Sequence, residues 1–207
     1  MRLKRQPMKT AIFLNSGRKT ERTVSADKII CADGGFDICP AKPDYIVGDC
    51  DSVHNIPEDA KVYRHDPRKN FTDGEAAVYL AKEIGSDEAI FYGVTGGRCD
   101  HVLGNIDIMA LADYLGMTAR AEENDCDIHF VHADEGTPFT LAVGKGRTVS
   151  IIPHGGDALV TDSRGLEYPL QNLTLTSHDS RGVSNVTSDD EFSIRVVKGA
   201  VLVFVNR

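Results

Sequence analysis

Two closely spaced aspartates follow a short apolar run in the first half of the chain, where they could bind a metal ion. Asp49 and Asp51, in the segment PDYIVGDCDS (43–52), come directly after Tyr45–Val47. If the strand geometry continues, residues i and i+2 face the same side, and the two carboxylates lie within several ångströms of each other. Such carboxylates repel, and a hard divalent cation such as Mg²⁺ relieves the repulsion. The spacing favours a magnesium site over a solvated acidic turn.

A third aspartate, Asp33, follows the apolar run Lys28–Ala32 and precedes Gly34 and Gly35. In open parallel sheets, ligands bind just beyond the carboxyl ends of the strands, so Asp33 occupies a place where binding residues belong. The glycines would let the backbone approach a phosphate closely. A plain turn after the strand is the alternative.

Asp73 lies in RKNFTDGEAA (68–77), in the first turn of a helix that Thr72 is predicted to cap. A carboxylate at that position could simply complement the helix dipole. Lys69, just upstream, favours a phosphate site, because such sites combine cations with helix N–H groups. The segment taken alone leaves both interpretations open.

The segment GVTGGRCDHVLGN (93–105) combines a glycine turn after a predicted strand with Arg98, Asp100 and His101 at a helix start. Neither G-x-x-x-x-G-K-[ST] nor G-x-G-x-x-G is present, which counts against a dinucleotide-dependent oxidoreductase. Arg98 could make a bidentate contact with phosphate, and His101 is assigned a contact role at most. Four acidic or glycine-rich segments, each at a predicted strand end or helix start, together indicate a site for a phosphorylated ligand.

These segments lie on predicted elements in which strands alternate with helices. The predicted strands are Ala11–Leu14, Lys28–Ala32, Tyr45–Val47, Val62–Arg64 and Ala89–Val94. One helix begins at a capping box and ends at Gly85, and a second ends at Gly116. The apolar stripe of the second helix is predicted to be Val102, Leu103, Ile106, Met109, Ala110 and Tyr114. This alternation predicts an α/β domain, residues 8–134, with a mostly parallel, Rossmann-like sheet.

The last part of the chain, residues 138–207, has a different pattern. Its predicted strands are Phe139–Val143, Thr148–Ile152, Ala158–Thr161, Leu173–Thr176, Phe192–Val197 and Ala200–Val205. They are rich in Val, Ile and Thr, and Gly, Asp and Pro separate them. The pattern predicts an all-β sandwich, with the domain boundary in 133–138.

Composition excludes several classes of protein. The net charge of −8 argues against a broad nucleic-acid surface. The five cysteines form no C-x-x-C pair, and His129 and His132 face opposite sides of a predicted strand, so neither set predicts a zinc site. No apolar run approaches membrane-spanning length, and the leading basic segment precedes too short an apolar run for a signal peptide. We expect a cytoplasmic protein without membrane or nucleic-acid partners.

With these residues assembled, the sequence resembles the thiamine pyrophosphokinase family. The matching segments are ADGG (32–35), PDYIVGDCDS (43–52), FTDGEAA (71–77), GGRCDHVLGN (96–105), SRGLEYPL (163–170) and GVSN (182–185). The resemblance implies an ATP-dependent enzyme with Mg²⁺ that transfers a pyrophosphoryl group to the hydroxyl of thiamine, giving thiamine diphosphate and AMP. It also implies an α/β domain, a β-sandwich that binds thiamine, and a homodimer with shared active sites.

The resemblance also implies roles for individual residues. Asp49, Asp51 and Asp73 match magnesium-site aspartates. Asp33, Arg98 and Asp100 match nucleotide-side positions. Gly34, Gly35, Lys69 and His101 are assigned to nucleotide binding from the character of their own segments. Tyr168 matches an aromatic residue that packs on the thiamine pyrimidine, with Ser184 and Asn185 nearby. No residue is assigned as the general base, and Asp100 is the one candidate for that role.

The sequence departs from the family pattern at Asn70, where aspartate is usual, and this leaves alternatives open. A non-catalytic sensor of nucleotide or thiamine is one, because asparagine removes a negative charge. A pyrophosphokinase for another hydroxymethyl acceptor, such as a pterin, is the other. The Tyr168 and Ser184-Asn185 segments favour thiamine over the pterin.

Overall fold

The computed structural model describes residues 5–48, 60–64, 70–134 and 136–207. This part of the chain forms two compact units, which divide between Asn124 and Asp125. The division precedes the boundary predicted in 133–138, because the strand Cys126–His132 pairs along its whole length with the last strand of the chain. No helix in the described ranges is long and apolar enough to cross a membrane.

The strands of the first unit run parallel to one another. They are β1 (Lys9–Phe13), β2 (Lys28–Ala32), β3 (Tyr45–Gly48), β4 (Lys61–Arg64), β5 (Glu88–Tyr92) and β6 (Thr118–Glu122). Their order across the sheet is β6-β5-β1-β2-β3-β4, and every pair in this series is parallel. The parallel pairing agrees with the sequence prediction, which had missed β6. The order reverses between β1 and β5, and such a switch point is where open parallel sheets bind ligands.

Two α-helices of the described chain accompany this sheet. The first, α1 (Asp73–Glu83), begins at the Thr72 cap, whose side chain accepts a hydrogen bond from the Glu75 N–H at 3.1 Å. It ends just before Gly85, which has a φ of 88°. Both limits match the predicted helix.

The second helix, α2 (Cys99–Tyr114), corrects the predicted apolar stripe. Its buried residues are Ile108, Met109 and Ala112. Two predicted stripe residues face outward, since Leu103 is 68% exposed and Tyr114 85% exposed. Apolar residues occur on more than one face of this helix, so hydropathy alone did not identify the packed side.

The second unit contains antiparallel strands. They are β7 (Cys126–His132), β8 (Phe139–Ala142), β9 (Thr148–Arg164), β10 (Leu173–Leu175), β11 (Asn185–Val186) and β12 (Glu191–Asn206). The strand β12 pairs with β7, β8 and β9, and β9 also pairs with β10 and β11. A continuous cluster of buried Val, Ile, Leu and Phe side chains forms the core of this unit.

Two pairs of predicted strands are single long strands. The stretch Thr148–Arg164 is continuous through Gly155 and Gly156, and Glu191–Asn206 is continuous through Gly199. Register shifts mark β-bulges between these strands, and the glycines lie at or near them. A glycine within a strand pattern can therefore indicate a bulge instead of a strand end.

Candidate functional site

A cleft of about 750 Å³ opens in the first unit at the carboxyl ends of β1 and β2. Residues after β1 and β2 and at the starts of α1 and α2 line it, including Asn15, Ser16, Asp33, Asp73, Arg98 and Asp100. The cleft therefore lies beside the point where the strand order reverses. It has the size and position of a small-molecule site.

The cleft brings together five of the residues that the sequence singled out. Asp33, Asp73, Arg98, Asp100 and His101 all line it, although they come from three separate segments. Three carboxylates against one guanidinium make the lining rich in negative charge. A polyphosphate could enter such a cleft only with accompanying cations.

Asp33 begins a short 3-10 helix, Asp33–Asp37, directly after β2. The two glycines that follow it are buried against β1. A Cβ atom on Gly35 would lie 2.1 Å from the Phe13 carbonyl oxygen, and one on Gly34 would lie 2.3 Å from Nδ2 of Asn15. Gly35 needs glycine because the Phe13 backbone approaches it, whereas the neighbour of Gly34 is the end of the Asn15 side chain. The predicted reason, close approach to a phosphate, is therefore not required to explain Gly35.

Asp73 is the first residue of α1 and is half-buried at the cleft. The Thr72 hydroxyl already accepts the Glu75 N–H, so Asp73 is not the N-cap residue. The next residue, Gly74, packs under the helix, where a Cβ atom would lie 2.8 Å from Cδ1 of Ile108 on α2. A larger residue at position 74 would have to displace the end of the Ile108 side chain.

Arg98 and Asp100 form a bidentate ion pair at the start of α2. The distances are 3.1 Å from Nε to Oδ1 and 2.5 Å from Nη2 to Oδ2. Both side chains are largely exposed, so the pair contributes little to stability. The hydrogen bond from Arg98 lowers the pKa of the Asp100 carboxyl below its usual value. Asp100 is therefore a weaker base than an ordinary aspartate, which counts against the guess that it is the general base.

Several lining residues were missed by the sequence analysis. Asn15, Ser16 and Gly17 line the cleft directly after β1, and Asn105 lines it from α2. The first three were detectable, since they are polar or small residues beyond an apolar strand, the same rule that identified Asp33. Asn105 had no such signal, because it lies inside a helix.

Three predicted residues, Asp49, Asp51 and Lys69, lie outside the described residues. Gly48, the last residue of β3, approaches Asp33, with its Cβ position 3.4 Å from the Asp33 Cα atom, and Asp49 is next in the sequence. Asn70 is described and exposed. In the described ranges, no three His, Cys, Asp or Glu side chains are grouped so as to hold a metal ion.

The substrate residues predicted in the second unit come from two segments that hydrogen bonds hold together. The Asn185 side chain is 5% exposed. Its Nδ2 donates to the Tyr168 carbonyl at 2.7 Å, and its Oδ1 accepts the Tyr168 N–H at 3.1 Å. Ser184, with a φ of 62°, donates its N–H to Oγ of Ser150 at 3.1 Å. Tyr168 itself is 61% exposed, so Asn185 fixes the backbone of an outward-facing aromatic residue.

Comparison with known proteins gives a consistent result for both units. Residues 21–118 match the family model described as thiamin pyrophosphokinase, catalytic domain, and residues 128–201 match that of its vitamin B1 binding domain. Together the two models cover well over half of the chain. The chain belongs to the thiamine pyrophosphokinase family. Family membership makes it an enzyme that transfers a pyrophosphate group, with thiamine pyrophosphokinase activity.

Individual relatives from this family cover much of the chain at low identity. Thiamine pyrophosphokinase 1 of Oryza sativa subsp. japonica is 25% identical over 84% of this chain and 76% of its own length. The enzyme of that name from Bacillus subtilis (strain 168) is 28% identical over 65% of this chain and 62% of its own length. A crystal structure of thiamine pyrophosphokinase from Bacillus subtilis superposes with a TM-score of 0.80 at 23% identity, covering 97% of this chain and 99% of that one. At that identity the structural likeness establishes the fold.

Proposed function

We propose that the chain transfers the pyrophosphoryl group of ATP to the hydroxyl of thiamine, giving thiamine diphosphate and AMP. The observation that carries the proposal is the cleft, which gathers Asp33, Asp73 and Arg98 at the switch point of the parallel sheet. Phosphoryl chemistry asks little of a protein beyond alignment and charge stabilisation. The thiamine hydroxyl would attack the β-phosphorus directly, and AMP would leave without a covalent enzyme intermediate.

Mg²⁺ is proposed as the accompanying cation. Asp73 contributes a carboxylate to a cleft that is already acidic, and carboxylate oxygens are the ligands that Mg²⁺ prefers. Asp49 and Asp51, after β3, would complete the set. When bound, Mg²⁺ would neutralise phosphate oxygens. This would also relieve the repulsion between the carboxylates of the lining and the triphosphate.

Arg98 would act on the nucleotide side. Its guanidinium already makes a planar, two-point contact with the Asp100 carboxylate, and a phosphate offers the same geometry. Exchange of Asp100 for a phosphate would place the guanidinium where negative charge develops in the transition state. Asp33, Gly34, Gly35, Lys69, Asp100 and His101 are proposed as further nucleotide-side residues.

The second unit would hold the acceptor. Tyr168 offers an exposed ring for the thiamine pyrimidine, and the Asn185 side chain holds the Tyr168 backbone through two hydrogen bonds. Ser184 is proposed as a neighbouring contact. On this proposal the first unit is a Rossmann-like catalytic domain and the second unit a thiamine-binding β-sandwich.

The assembly and location of the enzyme are part of the same proposal. We expect a cytoplasmic homodimer with shared active sites and with neither nucleic-acid nor membrane partners. Light scattering of the purified chain would give the mass of the assembly. At a thiamine concentration well below the wild-type KM, where both variants are impaired, mixing Asp73→Ala with Tyr168→Ala would restore part of the activity only if one site takes residues from both subunits.

The proposed reaction is tested by its products. The purified chain would be incubated with ATP, Mg²⁺ and either thiamine or a hydroxymethylpterin, and AMP and ADP would be separated by chromatography. We expect AMP with thiamine alone. AMP with the pterin alone would contradict the acceptor, ADP would contradict pyrophosphoryl transfer, and binding of both ligands without turnover would indicate a sensor.

A further inference from the structure

The buried carboxylate of Glu123 accepts hydrogen bonds from the loop that leads to Arg98. Glu123 follows β6 and is 8% exposed. Its Oε1 accepts the Val94 N–H at 2.8 Å, and its Oε2 accepts the Thr95 hydroxyl at 2.9 Å. Both oxygens therefore bind the short loop between β5 and α2.

The same loop is held from two other sides. From α2, Nδ2 of Asn105 donates to the Val94 carbonyl at 3.2 Å. From β1, the chain passes so close that a Cβ atom on Gly93, where φ is 76°, would lie 2.5 Å from the Leu14 carbonyl oxygen. Glu123 is the charged member of these three anchors. Hydrogen bonds to a charged acceptor are about twice as strong as neutral ones.

The loop position decides where Arg98 lies. Only Gly96 and Gly97 separate Thr95 from Arg98, and Arg98 is the N-cap residue of α2. A buried carboxylate is costly unless its oxygens are hydrogen-bonded, and here both donors belong to this loop. The contacts of Glu123 thus fix Val94 and Thr95 at the start of this loop. Arg98, at the other end of the loop, lines the cleft.

We propose that Glu123 is a positioning residue for pyrophosphoryl transfer, which acts through the Val94-Thr95 turn on Arg98. It contacts the loop from the side of β6 and acts on the substrate only through it. The inference rests on the proposed function, since it assumes that Arg98 contacts the triphosphate. A misplacement of about 1 Å can cost about 100-fold in rate.

The first test compares Glu123→Ala with Glu123→Gln and with Asp44→Ala. We expect Glu123→Ala to lower kcat/KM for ATP about 10- to 100-fold, with the KM for thiamine unchanged. Glu123→Gln should recover most of this, because its amide oxygen can accept the Val94 N–H and its amide N–H can donate to Thr95. An equal loss in Glu123→Gln, or a matching rise in the thiamine KM, would contradict the proposal.

Asp44→Ala is the matched control. The Asp44 carboxylate also accepts a backbone N–H, that of Ile29 at 2.9 Å, and binds Nζ of Lys28 at 2.7 Å. It precedes β3, at the end of the sheet opposite to the cleft. Its removal should leave kcat/KM for ATP unchanged. A loss as large as that of Glu123→Ala would assign both effects to general destabilisation.

The second test is a double-mutant cycle with Arg98→Ala. If Glu123 acts through Arg98, Glu123→Ala should add less than a twofold loss in the Arg98→Ala background. Fully multiplicative losses would overturn the proposal. If circular dichroism shows that Glu123→Ala does not fold, Thr95→Val replaces it in the cycle, because it removes the hydroxyl donor and keeps the side-chain shape.

Calorimetric titration with Mg-ATP separates this inference from the proposed function. A wild-type chain that binds ATP but forms no AMP would refute the reaction, while weaker ATP binding by Glu123→Ala would still support the positioning role. Unchanged ATP affinity together with unchanged kcat/KM in Glu123→Ala, or no ATP binding in the wild type, would overturn the positioning role of Glu123.

Discussion

In the first unit, polar residues from strand ends and helix starts line one open cleft, whereas in the second unit the buried polar candidate binds the backbone of a neighbouring segment. Asp33, Asp73 and Arg98 reach the same cleft from three elements. Both polar atoms of the Asn185 side chain are hydrogen-bonded to the backbone of Tyr168, and the Tyr168 side chain is exposed. One unit offers charge to a ligand, and the other offers an exposed aromatic ring on a hydrogen-bonded backbone. The contrast predicts that substitutions in the two units affect different measured quantities.

The largest effect is expected at the cleft. Asp73→Ala should lower AMP formation by about 100-fold or more, because it removes a charged group from the proposed phosphate and metal site. Stability should change little, since Thr72 still caps α1. Product chromatography and circular dichroism would measure the two quantities.

Glu83→Ala provides the control for Asp73→Ala, because Glu83 is exposed at the other end of α1. It should retain wild-type turnover. Turnover retained by Asp73→Ala as well would remove Asp73 from the site.

A smaller and divided effect is expected in the second unit. Asn185→Ala should lower the free energy of unfolding by about 1–3 kcal/mol, because it removes the hydrogen-bond partner of the Tyr168 N–H and carbonyl groups. Tyr168→Ala should change stability by about 0.5 kcal/mol or less, since the ring is largely exposed. It should nevertheless raise the KM for thiamine by up to about tenfold, the value of an aromatic contact. Denaturant unfolding and acceptor kinetics separate the two residues.

The proposed division of roles, with Asn185 acting on stability and Tyr168 on acceptor binding, can be contradicted by one result. If Asn185→Ala unfolds at the wild-type denaturant concentration yet raises the KM for thiamine, Asn185 contacts the acceptor directly. Its hydrogen bonds to the Tyr168 backbone would then be of secondary importance.

The smallest effect is expected from an ion-paired carboxyl at the edge of the first unit. Burial alone would raise the pKa of Glu122, but hydrogen bonds from Arg120 and Tyr92 outweigh it and hold the pKa below its usual value. A carboxyl whose pKa is lower in the folded state stabilises the fold above its unfolded pKa and loses that contribution as the pH falls through the folded pKa. Urea unfolding between about pH 3 and 7 should therefore show an acid loss of stability.

Glu122→Gln should reduce that dependence on pH, because it removes the titrating group. The exposed Glu83→Gln should leave the wild-type dependence in place. An unchanged acid slope in Glu122→Gln would assign the loss of stability to other carboxyls.

The sequence predicted the features that depend on local pattern. The limits of β2 and α1 and the aspartate after β2 follow from short apolar runs, a cap and a terminating glycine. The strand β6 was missed because TARAE alternates small and charged residues, and its charged side chains are satisfied by partners such as Glu88 and Tyr92. Such partners are distant in sequence and leave no local signal.

The cleft itself was only partly predictable for the same reason. The rule that ligands bind beyond strand ends identified Asp33 and could have identified Asn15 and Ser16. Glu123 had no such signal, because it supports the cleft through a backbone N–H that the fold brings next to it. The reasons for Gly35 and Gly74 also became visible only from the atoms that approach them.

The most direct test of the account follows the β-phosphorus of ATP. The chain would be incubated with Mg²⁺, thiamine and ATP that carries a radioactive β-phosphate, and the products would be separated. We predict that the label moves to thiamine diphosphate in step with the appearance of unlabelled AMP. Label retained in ADP, or in unreacted ATP while thiamine remains unchanged, would contradict pyrophosphoryl transfer by this chain.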